Sequence, residues 1–241
     1  AKTYLCGRLR SIMTPPVNPR LSLQNTIKSS VTFSGVGLHS GKAVKMTVMP
    51  ASAEHGICFR RTDVVGVDAL ILANWNSVEQ SPLCTLIKNR AGISVSTVEH
   101  IMAALSGCGV HNALIELDGP EVPILDGSAA SFVRGILSKG IRQLESPVRA
   151  LKVLKRIEVH KGDAWARLEP GEGLSIDFHI DFDDAAIGVQ TKTLNMANGS
   201  FVRELSDSRT FCRKADVDHM RANGLALGGT LENAVVVDGN K

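Results

Sequence analysis

Ser96-Thr97-Val98-Glu99-His100-Ile101-Met102-Ala103-Ala104-Leu105 is the most informative stretch of the chain. Val98, Ile101, Met102 and Leu105 recur at the i, i+3, i+4, i+7 spacing of an amphipathic helix, which predicts a helix over Ser96–Leu105. Ser96 and Glu99 stand at capping-box spacing, where Glu99 would serve as a helix-capping carboxylate. At about 100° per residue, His100 points roughly opposite the apolar stripe and Glu99 well off it. His100 is therefore not expected in the core beneath its own helix. An adjacent Glu and His at a helix N-terminus can also form a catalytic pair. The imidazole ligates a metal, while the carboxylate, at the positive end of the helix, accepts a proton from a metal-activated water. On these residues alone, cap and base both remain open for Glu99.

Working outward, Ser29–Phe33 reads as strand and Gly35-Val36-Gly37-Leu38-His39-Ser40-Gly41 as a turn. Alternation resumes at Val44, Met46 and Val48, so the pair reads as a hairpin. The glycines do not make a phosphate loop: Gly35 and Gly41 are separated by five residues and Ala43 follows Lys42, while the Gly37–Gly41 spacing misses the dinucleotide fingerprint. His39 is left free to face a site from that turn. Ala113–Leu117 reads as a strand and Gly119-Pro120-Glu121-Val122-Pro123 as a rigid connection, whose functional use would be to hold neighbouring elements around a site. A second helix is predicted over about Ser128–Ser138, with Asp126 near its N-cap and Gly140 ending it.

Past Glu145–Pro147 the pattern restarts. Leu151–Val159, Ala164–Leu168 and Leu174–Phe182 alternate like neighbouring antiparallel strands, Phe201–Leu205 and Ala215–Arg221 read as short helices, and Ala234–Val237 as a buried strand. Ser208-Arg209-Thr210-Phe211 by itself reads as a loop, and Gly224–Thr230 as a flexible apolar stretch that either covers a core or lines a channel. The order of elements predicts an α+β protein of two similar domains, residues 26–147 and 148–241.

Composition narrows the function classes. The 241 residues are 44% hydrophobic and 21% charged, a globular profile. No apolar run approaches the roughly 18 residues of a membrane-spanning helix. Of the 27 basic residues, Lys2, Arg8, Arg10 and Arg20 lie in residues 1–25, which hold no acid; the remaining 23 face 24 acidic residues. The body is near neutral and no nucleic-acid partner is indicated. Residues 1–25 place Leu5, Leu9, Ile12 and Met13 at helical spacing before Pro15, Pro16 and Pro19, so the segment resembles a mitochondrial transit peptide, with a plain disordered tail as the alternative. Cys6, Cys58, Cys84, Cys108 and Cys212 are odd in number and widely spaced, which points to free thiols in a reducing compartment.

Four segments match one family in order and spacing. Gly-Val-Gly-Leu-His-Ser-Gly-Lys (35–42), Ser-Thr-Val-Glu-His-Ile-Met-Ala-Ala-Leu (96–105), Gly-Pro-Glu-Val-Pro-Ile-Leu-Asp-Gly-Ser-Ala (119–129) and Arg-Thr-Phe (209–211) resemble the UDP-3-O-acyl-N-acetylglucosamine deacetylases, zinc hydrolases of lipid A biosynthesis. The resemblance covers roughly residues 26–239. It implies two α+β domains, each a sheet packed against helices, with the active site between them. Carried over by position, His100 would be a zinc ligand, Glu99 the general base, and Thr210 a hydrogen-bond donor to the developing oxyanion. Phe211 would lie along the nucleotide-sugar side. Leu83, Val217, Gly229, Thr230 and Ala234 would border the groove for the fatty acyl chain. The partner implied is a UDP-linked acylated N-acetylglucosamine bound by a monomer, and the cofactor is Zn2+.

The leader suggests a plant mitochondrial member, with the plastid as the less favoured address. Two departures stand out. His111-Asn112 replaces the family's Asp-Asn, and the family's remaining ligands, a His and an Asp, fall downstream of the strand matching Ala234–Asp238, whereas this chain stops at Lys241 with no histidine after His219. The resemblance thus implies an incomplete second domain and a C-terminally truncated sequence. It is either part of an active deacetylase or an inactive paralogue that binds acyl-sugar nucleotide or persists as a remnant. The 241-residue chain alone is expected to hold zinc weakly and to lack activity.

Overall fold

The computed structural model describes residues 22–239. The fold is α+β. In chain order the first half runs β1 (Leu23–Ile27), β2 (Val31–Val36), β3 (Ala43–Pro50), β4 (Ile57–Arg61), β5 (Leu70–Leu72), β6 (Val78–Glu79), β7 (Leu86–Lys88), β8 (Ser94–Val95), α1 (Glu99–Gly107), β9 (Ala113–Leu117), α2 (Ala130–Lys139) and β10 (Ile141–Pro147). No regular element occupies residues 148–156. The second half then runs β11 (Ile157–Lys161), β12 (Ala164–Leu168), β13 (Ser175–Asp181), β14 (Val189–Asn195), α3 (Ser200–Glu204), β15 (Phe211–Arg213), α4 (Lys214–Ala222) and β16 (Val235–Val237).

The first half is built on a five-stranded sheet of order β2-β3-β9-β4-β5, antiparallel except where β4 lies parallel to β9. Its period-2 pattern buries Val44, Met46 and Val48 of β3 and Ala113, Ile115 and Leu117 of β9. Ile101, Ala104 and Leu105 of α1 join them in one core with Phe132, Val133 and Ile136 of α2. Phe33 of β2 meets Phe132 edge to face at 5.0 Å. Each such large side chain contributes about 1.5–3 kcal/mol when fully buried.

The sequence-predicted leader, residues 1–25, runs three residues into β1. Residues 1–21 lie outside the described residues, but Leu23–Asn25 are already in β1, paired antiparallel with β10. Buried Gln24 explains why they belong there: its Nε2 donates to Glu54 Oε1 and to the Pro147 carbonyl, at 2.6 and 2.9 Å, and its Oε1 accepts from Asn112 Nδ2 at 2.9 Å. A lone glutamine in a polar-looking run gives no such signal locally.

The second half differs in detail from one continuous antiparallel array. Among the described residues its strands form three two-stranded ladders, β11-β12, β13-β14 and β15-β16, the last one parallel. Most of their side chains are exposed, so no broad apolar face unites the ladders. Strand β14 escapes the sequence reading because Leu194 is its one buried residue. Helix α3 ties the halves together: Phe201 joins the first-half core and lies on Gly107 of α1, where a Cβ would run into its ring.

Candidate functional site

Three first-half segments converge on the start of α1. The connection Gly119–Asp126 threads between the β2–β3 turn and residues 96–99: the Ser96 N–H donates to the Pro120 carbonyl at 2.9 Å, the Val122 N–H to the Ser96 carbonyl at 3.1 Å, and the Ile124 N–H to the Val36 carbonyl at 2.9 Å. At the centre sits Glu121, 2% exposed. Its carboxyl oxygens accept from the His39 and Ser40 N–H groups, both at 2.8 Å, and from Thr97 Oγ1 at 2.9 Å. One buried group thereby satisfies itself and pins the turn to the helix start. Gly37 is required there, because a Cβ would collide with that carboxyl.

The expected capping box does not form. Thr97 adopts φ +57°, the left-handed region that a β-branched residue enters only under constraint. This turns the chain before Glu99, so α1 begins at Glu99 rather than at Ser96. Ser96 Oγ approaches the Pro120 carbonyl at 3.4 Å, and Glu99 Oε2 instead accepts the Thr85 N–H at 3.0 Å. Glu99 is thus held by a separate loop, with Oε1 free of any partner among the described residues.

His100 is half-buried. Burial pushes its pKa below the usual histidine range, opposed by the charges of Glu99 and Asp126. The neutral imidazole that results is the form that can ligate a metal. Burial works to raise the Asp126 pKa, but the Ser128 hydroxyl and N–H hydrogen bonds outweigh it, with a net shift downward. The second half reaches the same place through backbone contacts. Arg209 Nε donates to the Asp126 carbonyl and the Thr210 N–H to the Gly127 carbonyl, both at 2.9 Å.

Beside this junction opens a cavity of about 620 Å³. Its walls are α4, β15, β16, the 226–234 loop, the β2–β3 turn and Leu83. Leu83, Thr210, Phe211, Val217, Gly229, Thr230 and Ala234, drawn from widely separated places in the sequence, all line it; Glu99 and His100 do not. The link between the cavity and the start of α1 is the 83–85 segment. Leu83, at φ +65°, stands in the cavity wall, and two residues on the Thr85 N–H holds Glu99.

The family model described as LpxC, UDP-3-O-acyl N-acetylglycosamine deacetylase, matches residues 24–241. The chain belongs to this deacetylase family. Among curated relatives, all named UDP-3-O-acyl-N-acetylglucosamine deacetylase, it is similar to that of Shewanella frigidimarina at 44% identity over 217 residues, 89% of this chain and 71% of the relative. The protein of Phenylobacterium zucineum is 46% identical over 218 residues, 90% of this chain and 74% of its own length. That of Pseudoalteromonas atlantica is 46% identical over 217 residues, with coverages of 89% and 71%.

For a deacetylase of this family, metal-binding capacity is the point to test. Among the described residues no group of three His, Cys, Asp or Glu side chains gathers to hold a metal, so these residues alone do not form a three-ligand zinc centre. His111 is occupied otherwise: its Nδ1 accepts the Asn25 N–H at 3.0 Å. Cys58, Cys84, Cys108 and Cys212 are free thiols, with Cys108 pushed up to about 11 by burial. No helix of the described residues is long and apolar enough to cross a membrane. Sequence reasoning missed Thr85, Thr97 and the anchoring role of Glu121, because their roles lie in a backbone N–H, a strained dihedral and a buried carboxyl that local pattern does not encode.

Proposed function

We propose that this protein hydrolyses the acetamide of a UDP-linked 3-O-acyl-N-acetylglucosamine, releasing acetate and the free amine, a step of lipid A biosynthesis. The observation that carries this reading is the 83–85 segment, which joins an acyl-sized apolar cavity to a catalytic pair in a member of the deacetylase family. The acyl chain occupies the cavity beside Leu83, Val217, Gly229, Thr230 and Ala234, with Phe211 along the sugar side. This leaves the acetamide near the start of α1.

Glu99 acts as general base. Its Oε2 is fixed by Thr85, and its Oε1 takes a proton from the water whose oxygen bonds to the acetamide carbonyl carbon. Thr210 donates a hydrogen bond to the carbonyl oxygen as it gains negative charge. The C–N bond then breaks, and the proton held by Glu99 passes to the departing amine. Zinc belongs to the proposal through His100, whose neutral nitrogen would supply one ligand; the others would come from outside the described residues.

The test is acetate release from UDP-3-O-acyl-N-acetylglucosamine by the zinc-supplemented protein; release would overturn the expectation that these 241 residues alone are inactive. Glu99→Ala is expected to lower kcat by about 100-fold or more while substrate affinity in calorimetry stays within a few-fold. Turnover that survives Glu99→Ala would return Glu99 to a purely structural role at the helix start.

A further inference from the structure

Asn198-Gly199 and Asn223-Gly224 are two exposed Asn-Gly pairs with different surroundings. Asparagine is a chemically labile residue, and a following glycine puts no Cβ in the way of its own backbone nitrogen. Asn198 and Gly199 are the central residues of a turn closed by the Ser200 N–H on the Ala197 carbonyl at 3.1 Å, with φ +55° and +72°. Among the described residues, neither the Asn198 side-chain amide nor the Gly199 N–H has a hydrogen-bond partner. Arg203 Nη1 donates to the Asn198 carbonyl oxygen, which belongs to the same peptide group as the Gly199 N–H. When that N–H loses its proton, the negative charge spreads onto this oxygen, where the guanidinium stabilises it. The second pair is tied down instead. Asn223 Nδ2 donates to the His219 carbonyl at 2.8 Å, and the Gly224 N–H to the Arg221 carbonyl at 3.0 Å.

We propose that Asn198-Gly199 is a site of spontaneous deamidation, assisted by Arg203. Solvent base takes the Gly199 amide proton, and the nitrogen bonds to Cγ of Asn198. The Cγ–Nδ2 bond breaks and ammonia leaves with a proton from water, which closes a five-membered succinimide. Water then opens either ring C–N bond and leaves aspartate or isoaspartate at position 198. The isoaspartyl product adds one methylene to the main chain directly before Ser200 and Phe201, at the seam where Phe201 packs on Gly107.

The experiment incubates the full chain in mildly alkaline buffer and follows both pairs by peptide mapping with mass spectrometry. Native protein is expected to exchange NH2 for OH at Asn198 about tenfold faster than at Asn223, since two hydrogen bonds hold only the second pair. In urea the two rates should converge, because both pairs are then unstructured. Arg203→Gln should slow the native reaction at Asn198 by about threefold or more and leave Asn223 unchanged. Native rates that are equal, or faster at Asn223, overturn the proposal, as does a rate difference that persists in urea. An unchanged rate at Asn198 in folded Arg203→Gln removes the guanidinium from the reaction.

Discussion

Glu121 gathers three donors from two segments into one buried carboxyl, and the arrangement tolerates no change of hydrogen-bond sense. Glu121→Gln replaces one accepting oxygen with an NH2 group that would face an N–H. The expected cost is about 1–3 kcal/mol, read as a lower denaturation midpoint; an unchanged midpoint would mean that the three contacts contribute little. His100 supplies a second prediction. Its folded-state pKa lies below the unfolded value of about 6.5, so the unfolded chain binds the proton first as pH falls. The stability linked to neutral His100 is therefore complete above that value and is lost as pH drops from there toward the folded pKa. In metal-free protein, the stability gap between wild type and His100→Gln should change between pH 7 and 5 and stay constant between pH 7 and 8. A flat gap across the acid range would show that burial does not shift this histidine.

At the scale of elements, the helices and the buried strands follow their periodicity. Ala113–Leu117 was legible as β9 to the residue, and the short helices near 201 and 215 lie within a residue of α3 and α4. The start of α1 was not, because Thr97 is bent into the left-handed region by its tie to Glu121, a contact 24 positions away. The seam between α1 and α3 is equally non-local. Phe201 packs where Gly107 has no side chain, so Gly107→Ala should destabilise the protein by about 1–3 kcal/mol despite the better helix propensity of alanine. If the variant instead proved more stable in thermal unfolding, the Phe201 contact would be looser than the geometry requires.

At the scale of the whole molecule, the cavity exists only because α4, β15 and β16 face the β2–β3 turn and Leu83 across the two halves. Val217→Trp should fill part of it. Each methylene excluded forfeits about 0.8 kcal/mol, so kcat/KM for long-chain substrates should fall by about tenfold or more while short-chain substrates are spared. Equal losses at every chain length would place the acyl chain elsewhere. The family, the helices, the β2–β3 hairpin and β9 were readable from the sequence by itself, because periodicity, turn residues and co-linear motifs are properties of near neighbours. Only the tertiary structure decided that Glu99 takes its partner from Thr85 rather than Ser96, and that Glu121 ties the β2–β3 turn to the start of α1. Those facts depend on pairs far apart in the chain, which only the burial of apolar surface brings into hydrogen-bonding or van der Waals range.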